Sequence, residues 1–188
     1  MPTNRETFAS NNGTASSTRT ARVVRPSRRA AREARRARSA ARRFDSVRGR
    51  SVVLIDLENV IGDPWATGPA VVEAYEAVLE AAGHVPGDLV VVAANRWLCA
   101  ELGTRPHTPA QILTASGPDG ADLALIGWVR EWDALGRCGR VVVASGDHAF
   151  AGVAAEAERR GMAVLVVRGR GAVAGVLRHL PIAGVRIG

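Results

Sequence analysis

Short apolar runs alternate with amphipathic stretches along residues 51–188, and this alternation predicts the secondary structure. Four runs are rich in Val, Ile and Leu throughout their length, which is typical of strands buried on both faces of a sheet. They cover residues 51–56, 88–95, 140–145 and 163–168. A weaker strand is predicted near residues 111–115 and an edge strand near residues 185–187.

The segments between these runs carry apolar residues at helical spacing. Helices are predicted over residues 69–82, 96–102, 119–136, 150–160 and 172–180. Gly83 and Gly161 end two of them, since glycine readily adopts the left-handed conformation that closes a helix. The helix over residues 119–136 has an apolar face that predicts four core residues: Leu125, Trp128, Val129 and Trp132.

This order of strands and helices predicts an α/β fold. Alternating elements of this length form a mainly parallel central sheet with helices on both faces, a three-layer, Rossmann-like sandwich with right-handed crossovers. The sequence therefore predicts one domain over residues 48–188, preceded by a separate tail over residues 1–47.

The tail carries the basic charge of the chain. Residues 1–50 contain 14 arginines and three acids, a net charge of +11, whereas residues 51–188 have a net charge of −4. Residues 1–26 are polar and aperiodic, which predicts disorder. Residues 27–43 favour a helix whose arginines repel one another, so they either fold on nucleic acid or only keep the chain in solution. Such a tail binds polyanions without sequence preference.

Several protein classes are excluded by composition. Cys99 and Cys138 are far apart in the chain, so a zinc site or disulfide framework is not predicted and both residues are interpreted as reduced, buried thiols. No apolar run reaches the ~18 residues of a membrane span, and no secretory signal begins the chain. We expect no membrane partner and a cytoplasmic location.

Acidic residues follow the predicted strands. Asp56 closes the first strand, Asp147 lies two residues beyond the strand at 140–145, and Asp122 begins the helix before that strand. In parallel sheets these positions share the carboxyl edge, where ligands bind. Carboxylates gathered there repel one another unless a cation neutralises them, and all-oxygen ligands favour Mg²⁺ or Mn²⁺. The pattern predicts a metal site at this edge.

Each acid also has a purely structural interpretation. Asp119 and Asp122 are spaced like a capping box at the start of a helix. Asp147 is suited to be the N-cap of the next helix, and Asp56 to end a strand in a turn. Three acids on one edge, with Asn59 beside them, still favour the metal site.

Three motifs resemble the NYN family, a branch of the PIN-like metal-dependent ribonucleases. VVLIDLENV (52–60) resembles its opening strand, GADLALI (120–126) its G-V-D-x-x-L segment, and VVVASGDHAF (141–150) its SGD-x-D-F segment. The resemblance covers residues 52–180. It implies a PIN-like fold, Mg²⁺ or Mn²⁺ held by Asp56, Asp122 and Asp147, a positioning role for Asn59, and hydrolysis of RNA.

Two departures from the family pattern leave a second function open. Ala149 replaces the second Asp of SGD-x-D-F, and Trp128 stands where a further acid is expected. A catalytically weak or inactive RNA-binding protein with the same fold is therefore the alternative to a nuclease. Asp119 is a candidate to replace a missing acid.

Other residues are candidates for contact with RNA, which we expect to be single-stranded. Arg96, Arg168 and Arg170 follow strand ends and are candidates for phosphate contact. Further candidates are Ser145, as a hydrogen-bond donor, and His148, as an acid or metal ligand, while Asp119 lies beside them. Trp65 and Trp97 are suited to stack on an unpaired base, although core packing is the favoured prediction for Trp97.

Two further enzyme classes fit the sequence less well. An aspartate-phosphorylated phosphohydrolase needs D-x-D after the first strand, where this chain has Asp56-Leu57-Glu58. A dinucleotide enzyme needs GxGxxG after that strand, and none follows it. The glycine-bearing segment RGRGAVAG (168–175) lacks the surrounding features of a nucleotide site.

Overall fold

The computed structural model describes residues 49–103 and 108–185, with seven isolated positions between residues 32 and 47. The predicted tail helix, residues 27–43, falls outside the continuous ranges. Six strands are formed by the described residues: β1 Ser51–Asp56, β2 Leu89–Ala94, β3 Gln111–Thr114, β4 Arg140–Ala144, β5 Ala163–Arg168 and β6 Ile182–Gly184.

All five strand pairs are parallel, and the order across the sheet is β3-β2-β1-β4-β5-β6. The chain therefore winds from β1 to one edge and then from β4 to the other. The switch point lies between β1 and β4, where Ile55 is paired with Ala144. Ligands bind at such a point in parallel sheets, beyond the carboxyl ends of the strands.

Helices connect the strands on both sides of the sheet. Their bounds are α1 Leu57–Ile61, α2 Gly68–Ala82, α3 Arg96–Leu102, α4 Gly120–Glu131, α5 Ala134–Arg137 and α6 Ala151–Arg159, with 3-10 turns at His148–Phe150 and Gly175–Leu177. The predicted α/β class is confirmed, as are the helices beginning near residues 69 and 96. Gly83 closes α2 at φ 60°, as its position predicts.

Three local predictions differ from the structure. Helix α1 was not predicted, and the predicted helix over residues 119–136 is divided at Asp133, whose φ of 43° is left-handed. The helix predicted over residues 172–180 is reduced to one 3-10 turn. The edge strand predicted over residues 185–187 lies mostly outside the described residues, and the described part of the sheet ends with β6, beside which the Pro181 carbonyl accepts a hydrogen bond from Val166 N.

Two hydrophobic layers cover the faces of the sheet. Helices α1, α2 and α3 pack on one face with Val53 and Ile55, while α4, α5 and α6 pack on the other with Val52 and Leu54. Alternate residues of β1 therefore enter opposite layers, as a strand buried on both faces requires. Phe44, on the N-terminal side of the predicted domain, is also buried in the first layer.

The remaining composition-based expectations concern cysteine and membranes. Cys99 and Cys138 are free and half-buried, each against one hydrophobic layer. Burial raises the pKa of both thiols, which favours the unreactive protonated form. Over the described ranges, none of the helices combines the length and the apolarity needed to cross a membrane.

Candidate metal centre

Asp56 occupies the junction between β1 and α1. Its backbone ends the central strand, and its Oδ1 accepts a hydrogen bond from Asn59 N at 3.1 Å, which caps α1. Asp56 thus ends the strand as expected, but a helix rather than a turn follows it. The cap uses Oδ1, while Oδ2 accepts a hydrogen bond from the Ser145 hydroxyl at 3.2 Å. Only 5% of Asp56 is exposed, since β2 and β4 flank it.

Asp122 lies in the first turn of α4 and meets Asp56 across the switch point. The two carboxyl groups share a hydrogen bond, which requires one of them to be protonated. Asp122 is 6% exposed, and its Oδ1 is buried without a hydrogen-bond partner among the described residues. The fold thus brings two carboxyl groups into contact and leaves Asp122 Oδ1 without a hydrogen bond among the described residues.

The electrostatic consequence is a pair of raised pKa values. Burial raises the pKa of Asp56, although hydrogen bonds from Asn59, Asp122 and Ser145 oppose the shift. Burial also raises the pKa of Asp122, and the charges of Asp56, Asp147 and Asp119 add to this, bringing it to about 7. Burial and like charge both disfavour ionisation, and a bound cation would reverse both effects.

Asp147 is the third acid at this edge. Its Oδ1 accepts a hydrogen bond from Ala149 N at 2.8 Å and lies 2.9 Å from His148 Nδ1. The predicted N-cap role is confirmed, for the 3-10 turn at His148–Phe150. Asp147 is less buried than the other two acids, and the His148 side chain is almost fully exposed. This part of the site is open to solvent.

Ser145 and Asn59 hold Asp56 and the turn that carries Asp147 in place. Besides its contact with Asp56, the buried Ser145 hydroxyl accepts a hydrogen bond from Asp147 N at 3.1 Å. Asn59 Oδ1 accepts a hydrogen bond from Gly146 N at 2.9 Å, which ties α1 to the turn after β4. Ser145 therefore contacts the acids and the turn rather than solvent, and Asn59 keeps only its amide group for a substrate.

Two glycines let backbone segments approach this turn closely. A Cβ atom on Gly146 would lie 2.3 Å from the Ala172 carbonyl oxygen, and one on Gly169 would lie 2.2 Å from the Val60 carbonyl oxygen. The glycine-bearing segment after β5 thus packs against both α1 and the turn that carries Asp147. The close approach accounts for Gly169 of that segment.

A cleft of about 230 Å³ opens over the acids. Asp56, Asp122, Asp147, Asn59 and Asp119 line it, so the structure brings together the five predicted polar residues. Glu58 also lines the cleft and was not predicted. Recognising Asp56 as an N-cap would have indicated it, because a helix that begins at residue 57 has Glu58 in its first turn, facing the same edge of the sheet.

Asp119 contributes to the cleft without capping α4. It occupies the N-cap position with φ 55°, and its side chain makes no capping hydrogen bond. The capping-box interpretation of Asp119 and Asp122 is therefore wrong. The left-handed backbone of Asp119 turns its side chain away from the helix, where it remains exposed at the rim of the cleft.

The donor set suits a hydrated divalent ion. In the described ranges, no three His, Cys, Asp or Glu side chains converge tightly enough to enclose a metal. Mg²⁺ often uses only one or two carboxylates and keeps several waters, so Asp56 and Asp122 meet its requirement. The unsatisfied Asp122 Oδ1 is the observation that fits a cation, because a buried polar atom without a partner is destabilising.

The arginine candidates are not among the residues that line the cleft. Arg96 begins α3 after β2, Arg168 ends β5, and Arg170 lies in the following segment. All three are exposed at the carboxyl edge of the sheet. They remain candidates for contact with phosphates that extend beyond the acids.

The tryptophan predictions divide. Trp128 is buried, and its indole donates a hydrogen bond to Gln111 Oε1 at 2.8 Å. Trp132 is half-exposed, so its prediction as a core residue is wrong, because α4 ends before it. Trp97 is also not core: it is 42% exposed, while Leu98 and Leu102 form the buried face of α3. Trp65 is exposed, as a base-stacking residue must be.

The two positions at which the chain departs from the NYN motifs lie in different surroundings. Ala149 faces a groove between α4 and α6 and is not among the residues that line the acid cleft. Trp128 belongs to the second hydrophobic layer. No protein-family model matches the chain, and no curated protein is significantly similar to it. The resemblance to the NYN family therefore rests on its three motifs.

Proposed function

We propose that this protein is a metal-dependent ribonuclease that hydrolyses RNA phosphodiester bonds at a carboxylate-bound Mg²⁺ or Mn²⁺. The observation that carries the proposal is the Asp56–Asp122 contact. Two buried carboxyl groups share a hydrogen bond beneath an open cleft, and Asp122 Oδ1 has no hydrogen-bond partner in the part of the chain that the structure describes. Burying two carboxyl groups in contact lowers the stability of the folded protein, and a bound cation would offset this cost.

Asp56 and Asp122 are the residues that would hold the ion directly, and Asp147 would reach it through water. When bound, a divalent ion lowers the pKa of a coordinated water and offsets charge on the phosphate. The other residues of the site fix the positions of these acids. Ser145 fixes Asp56 Oδ2, and Asn59 fixes the turn that carries Asp147. Preorganised groups of this kind need no rearrangement during the reaction.

His148 is the candidate proton donor for the leaving oxygen. Its Nδ1 contacts Asp147 Oδ1, and its ring is exposed where a substrate would enter. His148 therefore supports general acid catalysis beside the acids rather than ligation of the metal.

RNA binding is assigned to exposed cations around the cleft. The domain has a net charge of −4, so phosphates need local positive charge, which Arg96, Arg168 and Arg170 provide. The Arg-rich residues 1–47 would add affinity without sequence preference. An arginine rim around an acidic, metal-dependent centre suits a flexible single strand that can enter the cleft.

A second function, RNA binding without turnover, is favoured by one observation. Neither Ala149 nor Trp128 contributes a carboxylate to the cleft, and Trp128 is packed in the core. The remaining acids leave fewer protein ligands than the family pattern. A protein that has kept the fold and lost catalysis would retain the arginines and the tail, so the two functions differ in turnover.

The deciding experiment is cleavage of labelled single-stranded RNA by the full chain with Mn²⁺, with Mg²⁺, and with EDTA. We expect metal-dependent cleavage that is lost in Asp56→Asn and Asp147→Asn. Glu76→Gln is the matched control, since Glu76 is an exposed acid on α2. Binding without cleavage in every condition would support the second function and refute the first.

A further inference from the structure

Two exposed tryptophans lie side by side at the carboxyl edge of the sheet. Trp65 is 71% exposed and Trp97 is 42% exposed, and their ring centroids are 6.3 Å apart with the planes inclined by 59°. At this inclination the rings touch without covering each other's faces. Each ring therefore keeps an aromatic face accessible to a ligand.

A hydrogen bond holds the Trp97 ring in place, and a second one orders the backbone at Trp65. The Trp97 indole Nε1 donates to the Ala66 carbonyl at 3.0 Å, which satisfies the polar atom of that ring. The backbone N of Trp65 donates to Asp63 Oδ1 at 2.9 Å, which fixes the loop between α1 and α2. Aromatic rings that are already ordered lose little entropy when they bind a flat ligand.

The tryptophan pair is joined to the acid cleft through Glu58 and Asn95. Glu58 lines the cleft, and its Oε1 accepts a hydrogen bond from Asn95 N at 2.6 Å. Asn95 Nδ2 donates to the Pro64 carbonyl at 3.1 Å. Pro64 and Asn95 each lie within two residues of a ring of the pair. A ligand on the rings therefore lies beside the acids.

We propose that Trp65 and Trp97 form a stacking site for one unpaired nucleobase of the RNA strand whose backbone enters the acid cleft. The proposal rests on the proposed function for its substrate class. It adds a specificity rule: the strand must be unpaired at this position, because a base inside a duplex has no free face to present to the rings. The site is tolerant of base identity, since every base has such a face.

Charge and area favour a nucleotide over a protein partner. Arg96 is exposed directly before Trp97, where it can neutralise the phosphate attached to a stacked base. Two indoles expose at most a few hundred Å², whereas a stable protein interface buries about 800 Å² on each partner. The pair thus has the size of a base and lacks the area of a docking surface for a protein.

The test measures binding without cleavage. The full chain is titrated with a short fluorescein-labelled oligouridylate in EDTA, at raised salt to suppress the contribution of the Arg-rich residues. We expect Trp65→Ala and Trp97→Ala each to weaken binding by about 5- to 100-fold. The slope of log K against log salt should not change, because stacking releases no counterions.

Trp132→Ala is the matched control, since Trp132 is also half-exposed but lies beyond the far end of α4. It should leave binding within about twofold. Trp97→Phe should retain most of the affinity because it keeps an aromatic face. Thermal melting of each variant checks that the fold is intact.

Unchanged binding in the Trp65→Ala and Trp97→Ala variants would overturn the stacking site. Concentration-dependent self-association that is lost in Trp65→Ala would also overturn it, because the rings would then be a contact between copies of the chain. Neither result depends on catalysis. If the tryptophan variants lose affinity and the wild-type protein does not cleave RNA, the stacking site stands and the nuclease proposal fails.

Discussion

Two groups of acidic side chains on this protein differ in their surroundings, since one is exposed to water and the other is buried. Glu73, Glu76 and Glu80 are spaced along the exposed face of α2, where water surrounds them. Asp56 and Asp122 come from distant parts of the chain and meet beneath a cleft with almost no exposure. Exposed acids are stabilised by water, whereas buried acids in contact need a proton or a cation.

The comparison teaches that burial and convergence, rather than the number of acids, make a candidate site. The α2 glutamates lie above an open surface, and no hydrogen bond or ion pair joins them to one another among the described residues. The Asp56–Asp122 pair shares a hydrogen bond and is flanked by Ser145 and Asn59. The predictions on catalysis, pH and metal below change the buried pair and use the α2 glutamates as the reference, and one further prediction tests the backbone that positions the cleft.

The largest expected effect is on catalysis. Asp122→Asn should lower metal-dependent RNA cleavage by about 100-fold or more, because it removes a charge that a catalytic cation needs. Glu76→Gln should leave the rate within about twofold, since surface changes have small effects. Initial rates with labelled single-stranded RNA and Mn²⁺ measure both. Equal losses in the two variants would remove the distinction between the two groups of acids.

The second effect concerns the backbone that positions the cleft. Gly146→Ala should lower the free energy of unfolding by about 1–3 kcal/mol, because its Cβ would meet the Ala172 carbonyl oxygen at 2.3 Å. Gly152→Ala in α6 has open space around the new Cβ and should stabilise the protein by about 0.5–1 kcal/mol. Urea denaturation measures both changes.

Loss of RNA cleavage in Gly146→Ala, with the remaining fold intact, would show that the turn carrying Asp147 depends on this close approach. The α2 glutamates offer no counterpart, since their positions follow from one regular helix. Wild-type stability in Gly146→Ala would mean that the turn can move away from Ala172, and that the position of Asp147 is less fixed than the packing indicates.

These sites were predictable from the sequence to different degrees. The strands were predictable, because short runs such as residues 163–168 consist almost entirely of β-branched and apolar residues. The ends of these strands placed Asp56 and Asp147 on one edge of the sheet. Helix α1 was not predictable, since five residues directly after a strand carry no helical period. Glu58 and its contact with Asn95 could not be predicted, because they depend on that helix.

The errors in the predicted helices arose because the apolar periodicity of the sequence continues beyond the residue at which the helix ends. Trp132 continues the apolar face of α4, yet Asp133 adopts a left-handed conformation that ends the helix, and nothing local in the sequence requires this. Trp97 was assigned to the core by residue type, whereas Leu98 and Leu102 already fill that face of α3. Its exposure depends on tertiary packing, which sequence periodicity does not contain.

The third prediction concerns pH. The pKa of Asp122 is raised from 3.8 to about 7, so between these values the folded protein binds more protons than the unfolded chain. In EDTA, stability should therefore be highest near the lower value and fall as pH rises through about 7. Asp122→Asn should reduce this fall to the part that the raised pKa of Asp56 contributes, and raise stability above pH 7 by on the order of 1–2 kcal/mol.

Urea denaturation across this pH range compares wild type with Asp122→Asn and with Glu76→Gln. The Glu76→Gln curve should run parallel to that of the wild type, because an exposed glutamate does not share the proton of the buried pair. A wild-type curve that rises through neutral pH, or an Asp122→Asn curve that falls as steeply as that of the wild type, would contradict the Asp56–Asp122 contact.

The smallest expected effect is stabilisation by metal. At pH 8, where Asp122 would be largely ionised, Mn²⁺ at ten times its dissociation constant should stabilise the folded protein by about 1.4 kcal/mol. For a chain of this size, that energy corresponds to a rise in Tm of about 3–6 °C. Thermal melting with Mn²⁺ and with EDTA measures the shift. It should vanish in Asp122→Asn and persist in Glu76→Gln, because the exposed α2 acids bind metal too weakly to contribute. An equal shift in both variants would mean that Mn²⁺ binds elsewhere, and the buried pair would then require a shared proton rather than a cation to explain it.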